Sequence, residues 1–140
     1  MSESEFENPS IMNHVSLGTN DWERAIGFYD VVLATIGAKR ILDHPGAVAY
    51  GKMFPEFWVQ RPFDNSTASP GNGTHFAFFA DSREQVEAFY AAAIAAGAED
   101  DGAPGPRSDY GAAYYGCFCR DLDGHKIEAT YWDLSISEGE

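Results

Sequence analysis

Apolar and polar residues alternate from Ile11 to Gly18, the period of a half-buried strand. Asn20 followed by Glu23 then has the spacing of a capping box, so a helix should open there. Trp22, Ala25, Ile26, Tyr29, Leu33 and Ile36 recur at helical spacing and form its buried stripe, and Gly37 is placed to end it. Beyond Gly37, the segments 38–43, 46–51 and 55–61 predict three short strands, divided by His44-Pro45 and by Pro55. The unit reads βαβββ.

Residues 62–72 are rich in Asn, Ser, Thr, Pro and Gly, the composition of a linker, and then the pattern restarts. Gly73 to Ala80 predicts a strand, and Ser82 with Gln85 predicts a second capping box. Val86, Phe89, Tyr90 and Ala93 predict a second apolar helical stripe, closing at Gly97. Strands are expected near 98–103, 113–120 and 125–133, the last two joined by Asp121-Leu122-Asp123-Gly124, a turn whose Asp-Gly step tolerates positive φ. The stretch Gly102 to Gly111 holds too much Gly and Pro for regular structure and predicts a mobile loop.

The two halves are copies. A shift of 61 positions carries His14 onto His75, Glu23 onto Glu84, Phe28-Tyr29 onto Phe89-Tyr90 and Ala34 onto Ala95; one deletion later, Gly37-Ala38 meets Gly97-Ala98. The expected organisation is a tail at 1–10, a first module at 11–61, the linker at 62–72, a second module at 73–133 and a closing tail at 134–140. The fold class is α+β, two βαβββ modules whose mixed sheet curls around a concave site, because one helix can cover only one face of its sheet.

Alternation sorts the faces. Val15 and Leu17, Phe76 and Phe78, Ile127 and Ala129 fit beneath the helices, which turns His14 and Ser16, His75 and Ala77, Glu128 and Thr130 toward the concave side. Two imidazoles and a carboxylate on one wall can hold a divalent metal and leave coordination positions open, the arrangement of a catalytic rather than a structural site. Trp58, Phe79, Tyr114 and Tyr115 are candidates for the pocket wall. Arg107 and Tyr110, a cation and a phenol, could steer an anionic substrate. His44 and His125 read as surface residues, and Glu23 and Gln85 as helix caps.

Composition narrows the partners. With 9 basic and 22 acidic residues the net charge is −13, which excludes nucleic acid as the expected partner. Part of the acidity lies in the end segments SESEFE and SEGE, which read as solvated tails. In 140 residues, 44% hydrophobic and 14% aromatic content can fill a core. No apolar run is long enough to cross a bilayer and no signal peptide is visible, so no membrane partner and a cytoplasmic location are expected. Cys117 and Cys119, two apart in a strand, share a face and read as reduced structural thiols.

The motifs NHVSLGTNDWERAIGFYDVVL, GNGTHFAFFA and FCRDLDGHKIEA resemble those of the vicinal oxygen chelate superfamily, which includes glyoxalase I, extradiol dioxygenases, and fosfomycin- and bleomycin-resistance proteins. The resemblance spans residues 11–133. It implies metal ligation by His14, His75 and Glu128, a divalent cofactor (iron, nickel, zinc or manganese), and a small substrate whose two adjacent oxygens chelate the ion. Isomerase, lyase and dioxygenase chemistry all fit such a site, with Glu128 as the one nearby candidate base. The chain departs from glyoxalase I at the fourth ligand, where Trp58 stands in PEFWVQRP; indole cannot ligate a metal, Glu56 and Gln60 are the candidates to substitute, and the departure favours a three-ligand site or one that has drifted to binding alone. The expected substrate contacts are therefore Trp58, Gln60, Phe79, Arg107, Tyr110 and Tyr115. The alternative is a metal-free module of the bleomycin-resistance type that sequesters a cationic compound. A homodimer is implied by the resemblance, with the modules closing either within one chain or between chains.

Overall fold

The computed structural model describes residues 7–136; the first six residues, which hold most of the acidic opening segment, and the closing SEGE lie outside them. The first module runs β1 (Val15–Gly18), α1 (Trp22–Ala34), β2 (Lys39–His44), β3 (Ala47–Gly51) and β4 (Phe57–Gln60). The second runs β5 (His75–Phe79), α2 (Arg83–Ala95), β6 (Glu99–Gly105), β7 (Tyr114–Arg120) and β8 (Lys126–Trp132). Each forms a four-stranded mixed sheet, in the orders β1-β4-β3-β2 and β5-β8-β7-β6, with one parallel pair and two antiparallel pairs. The repeat read in the sequence is thus a repeat of topology, and the sheets stay open.

Both helices end the same way. Gly37 and Gly97 take positive φ, 83° and 107°, and the following Ala38 and Ala98 donate backbone N–H bonds to Leu33 and Ala93 at 3.0 and 2.9 Å. Glycine reaches the left-handed region without a Cβ clash, which closes the last turn and frees the chain for the next strand. At the start, Ser82 caps α2 as expected and Gln85 reaches back to the N–H of Asp81. The first helix differs from its expected start: Asp21 is the cap, accepting from the N–H of Arg24. Asn20 instead brackets the linker, bonding the N–H and the C=O of Ala68.

The helix-covered sides of the two sheets share one core. Phe28, Tyr29, Val32 and Leu33 of α1 and Val86, Phe89 and Ala93 of α2 are all buried within it, together with Val59, Ile127 and Ala129 from the strands. Phe57 bridges the modules, packing edge-on to Phe76 and Phe78. Each buried Val, Leu, Ile or Phe side chain here contributes roughly 1.5–3 kcal/mol by leaving water. Cys117 and Cys119 are free thiols in this core, and burial pushes them up to about 11 and about 12. They are protonated and inert at neutral pH.

Beneath the Asp121–Gly124 turn lies a buried polar junction. The turn forms as expected, with Gly124 at φ 90° and its N–H on the Asp121 carbonyl. The Asp121 side chain, however, points inward and accepts from the Tyr29 hydroxyl of α1 at 2.5 Å and from the N–H groups of Asp123 and His125. His125 is not a surface residue. It is 7% exposed, and its Nε2 lies 2.7 Å from the Gly18 carbonyl oxygen of β1. His44 is exposed, as expected. Desolvation by burial raises Asp121 above the ordinary carboxylate range and raises Tyr29 well above the usual phenol range.

The Gly102–Gly111 stretch also differs from expectation. It continues β6 to Gly105 through two register shifts, then makes a short 3-10 turn at Ser108–Tyr110. Backbone pairing with β7 places Gly102 and Gly105 in a strand where composition alone assigns a loop, while Gly111 lies outside the strands.

Candidate functional site

The open face of the second sheet is built by period-two alternation on three neighbouring strands. β5 presents His75, Ala77 and Phe79, all exposed, while β8 contributes Lys126, Glu128 and Thr130. Register places Ala77 opposite Glu128 and Phe118 opposite Glu128 from the other side. His75 Nε2 lies 3.2 Å from Glu128 Oε1. Glu128 is only 6% exposed, so a carboxylate sits in the wall of the face with one oxygen turned to an imidazole.

Its other oxygen is held. Tyr114 donates its hydroxyl to Glu128 Oε2 at 2.6 Å. To do so the ring runs along β7 across Gly116, where an added Cβ would stand 2.1 Å from the hydroxyl oxygen and 2.9 Å from the Ala129 carbonyl oxygen. Only glycine at 116 leaves that path open. Burial and the hydrogen bond to Glu128 raise the Tyr114 phenol above its ordinary value, so it stays a donor. Thr130 Oγ1, two residues along the same face from Glu128, is buried with no hydrogen-bond partner among the described residues. Alternation identifies this face, but the Tyr114–Glu128 bond was beyond it.

His14 stands apart from this pair. It lies one residue before β1 rather than within the strand, and its Nδ1 is 2.7 Å from the Asn13 side-chain oxygen. It meets the edge of Trp58 and, with Ser16, Ala47, Trp58 and Gln60, lines a small cleft of about 260 Å³ on the first sheet. His14 and His75 also flank a larger groove between the modules, about 530 Å³, whose wall includes Leu33, Phe57, Glu56 and Phe79. Among the described residues, no group of three or more His, Cys, Asp or Glu side chains is arranged to hold a metal ion. Within one chain, the structure brings together two of the three expected ligands.

The expected substrate contacts divide by face. Trp58 and Gln60 line the first sheet's cleft, and Phe79 is 80% exposed at the larger groove. Tyr110 packs edge-on against Tyr114, and Arg107 lies over the Phe118 ring, both on the Glu128 side. Tyr115 is turned away, as a neighbour of Tyr114 in a strand must be: its hydroxyl bonds Glu87 of α2 and Arg83 covers its ring. It belongs to the helix side.

Paired βαβββ modules with an imidazole and a carboxylate on an open sheet face define a fold class, and comparison with known proteins gives its family. The model of the Glyoxalase/Bleomycin resistance protein/Dioxygenase superfamily matches residues 11–129, and the chain belongs to that superfamily. A glyoxalase/bleomycin resistance protein from Albidiferax ferrireducens T118 is 35% identical, with a TM-score of 0.78 over 86% of this chain and 98% of that one. Two more distant structures share the fold. A glyoxalase-related enzyme from Fulvimarina pelagi has 19% identity and a TM-score of 0.66, covering 88% of each chain. A lactoylglutathione lyase from Agrobacterium tumefaciens has 21% identity and a TM-score of 0.60, covering 88% of this chain and 93% of that one. No curated protein sequence matches. No helix among the described residues is long and apolar enough to cross a membrane.

Proposed function

We propose that this protein is a metal-dependent enzyme acting on a small molecule with two adjacent oxygens, and that its site is completed between two copies of the chain. The observation that carries the reading is the 3.2 Å approach of His75 Nε2 to Glu128 Oε1, with Tyr114 fixing the remaining carboxylate oxygen. Two donors each about 2.1 Å from one ion lie roughly 3.0–3.4 Å apart at ordinary bond angles, so the pair has the spacing of two ligands. Neutral imidazole and carboxylate suit iron, nickel, zinc or manganese.

The third ligand is His14 of the partner subunit. Within a chain, the helix-covered sides of both sheets are used in the common core, and the open faces carrying His14 and His75 are left free for a second copy. Exposed apolar side chains accompany both histidines: Ile11 and Met12 beside His14, and Phe79 on the strand of His75. A twofold axis that sets one chain's first sheet against the other's second would cover these residues and generate two equal sites.

A bound divalent ion would supply Lewis acidity to the two substrate oxygens. The protein's own contribution is positional. Tyr114 on Oε2 leaves Oε1 as the single carboxylate atom facing the open side; Oε1 would ligate the ion, and would hold a proton leaving the substrate only on moving off it. Trp58, Gln60 and Phe79 would wall the substrate off from water once the copies meet. Isomerase, lyase and dioxygenase chemistry share this platform.

Metal-free sequestration is the competing reading, favoured by the absence, among the described residues of one chain, of three side chains arranged to hold an ion. Elemental analysis decides between them. Protein purified without chelator, or reconstituted with each of the four metals, is expected to hold one ion per chain and two per dimer. Absence of uptake for all four would overturn the metal reading and favour the binding module.

A further inference from the structure

Beside the His75–Glu128 pair lies a cationic cluster that the metal reading does not use. Phe118, opposite Glu128 in the sheet, has Arg107 Cζ at 5.7 Å and Lys126 Nζ at 5.0 Å from its ring centroid, with the His75 ring at 6.3 Å. In a chain of net charge −13, two cations gathered on the open face next to the site run against the overall field.

The arginine is held against its own segment by the backbone. Its guanidinium folds back over β6, donating from Nη2 to the Ala103 carbonyl at 2.8 Å and from Nη1 to the Pro106 carbonyl at 3.1 Å. Gly102 makes room for it, and Gly105 lies in contact with it. A Cβ on Gly102 would stand 3.0 Å from Nη2 and 3.2 Å from Phe118 Cδ2, and one on Gly105 would stand 3.4 Å from Nη1. The Gly-Ala-Pro-Gly-Pro-Arg stretch is therefore a cradle for a guanidinium. Of the five N–H donors of arginine, two go to these carbonyls and three are left for a ligand. Arg120 and Lys126 share Asp101, at 3.0 and 3.6 Å, but Arg107 has no carboxylate partner among the described residues.

We propose that Arg107, with Lys126, is an anion subsite, and that the substrate carries a carboxylate in addition to its two adjacent oxygens. The inference rests on the site reading given above and adds the charge of the substrate to it. A planar carboxylate matches the flat fork of the free guanidinium donors, and one negative charge matches Arg107, the cation of this cluster with no carboxylate partner among the described residues. A cationic ligand is disfavoured at this place.

Calorimetric titration of the metal-loaded dimer with catechol, 2,3-dihydroxybenzoate and 3,4-dihydroxybenzoate tests the proposal, with 3,4-dihydroxybenzamide as the uncharged match. The tighter dihydroxybenzoate is expected to bind about tenfold or more tightly than catechol or the amide. In Arg107→Met the advantage should fall to about threefold or less with catechol affinity unchanged, in Lys126→Met it should fall by a smaller factor, and raising the salt should shrink it in the parent. Equal affinity for acid and amide in the parent protein would overturn the subsite without any variant. Inorganic phosphate displacing the dihydroxybenzoate at tenfold lower concentration than acetate would overturn the carboxylate in favour of phosphate. A failure of the metal reading has a different signature: catechol would not bind, whereas benzoate would still bind in an Arg107-dependent way.

Discussion

Replacing Asp121 by Ala is expected to destabilise the protein by about 3 kcal/mol or more. The substitution leaves three donors without their acceptor, two of them buried, the Tyr29 hydroxyl and the His125 N–H, and one part-buried, the Asp123 N–H. Each unsatisfied group costs about 1–3 kcal/mol, and Tyr29 is only 1% exposed. For a chain of this size the melting midpoint should fall by about 10 °C. The pH dependence has a definite sign. Burial raises the Asp121 pKa above its ordinary 3.8, so its ionisation opposes folding; its stabilising contribution is complete when it is protonated and declines as the pH rises through the raised value. The stability gap between the parent and Asp121→Ala should therefore widen as the pH is lowered from 7 toward 4. Thermal melts across that range check it, and a gap that narrows on acidification would contradict the assignment.

The second large effect falls on metal affinity. Glu128→Ala removes the one carboxylate of the proposed ligand set, and affinity should drop by at least about 100-fold. Changes to the shell around it should grade below that. Tyr114→Phe frees Oε2 while keeping the ring, and loss of such an outer partner lowers affinity by about 10–100-fold. Gly116→Ala should behave similarly although it touches neither metal nor ligand, because its methyl group takes the place of the Tyr114 hydroxyl. Competition against a fluorescent chelator measures all three. Parent-like affinity in Gly116→Ala would show that the path of Tyr114 is irrelevant to the site.

Local pattern made much of this legible from sequence. Period two separates Phe76 and Phe78 from His75 and Ala77, and the Gly-Ala pairs at 37–38 and 97–98 mark both helix ends, because these features depend on neighbours along the chain. What escaped depends on partners far along it. Tyr29 and Asp121 are 92 residues apart, and the His125 contact with Gly18 spans 107, so a turn that reads as surface became the junction of the modules. Asn20 was drawn from its expected capping role by the linker and by the Asp123 carboxylate, which accepts from its N–H. Gly102 and Gly105 carry the composition of a loop, and the reason for Gly102, a positive φ of 147° with Phe118 and Arg107 packed against it, lies in its pairing with β7. The candidate site was half legible. Alternation put His75 and Glu128 on one face, but His14 falls just outside its strand, and sequence offers no sign of which copy of the chain it serves.

That last point is open to direct measurement. Chains bearing His14→Ala and His75→Ala are co-expressed with different tags, and the mixed dimer is isolated and assayed for bound metal. If the site forms between copies, one of its two sites recovers all three ligands, and the mixed dimer holds about one ion while neither homodimer retains any. A mixed dimer as empty as its parents would contradict a shared site and require each chain to supply its own histidine.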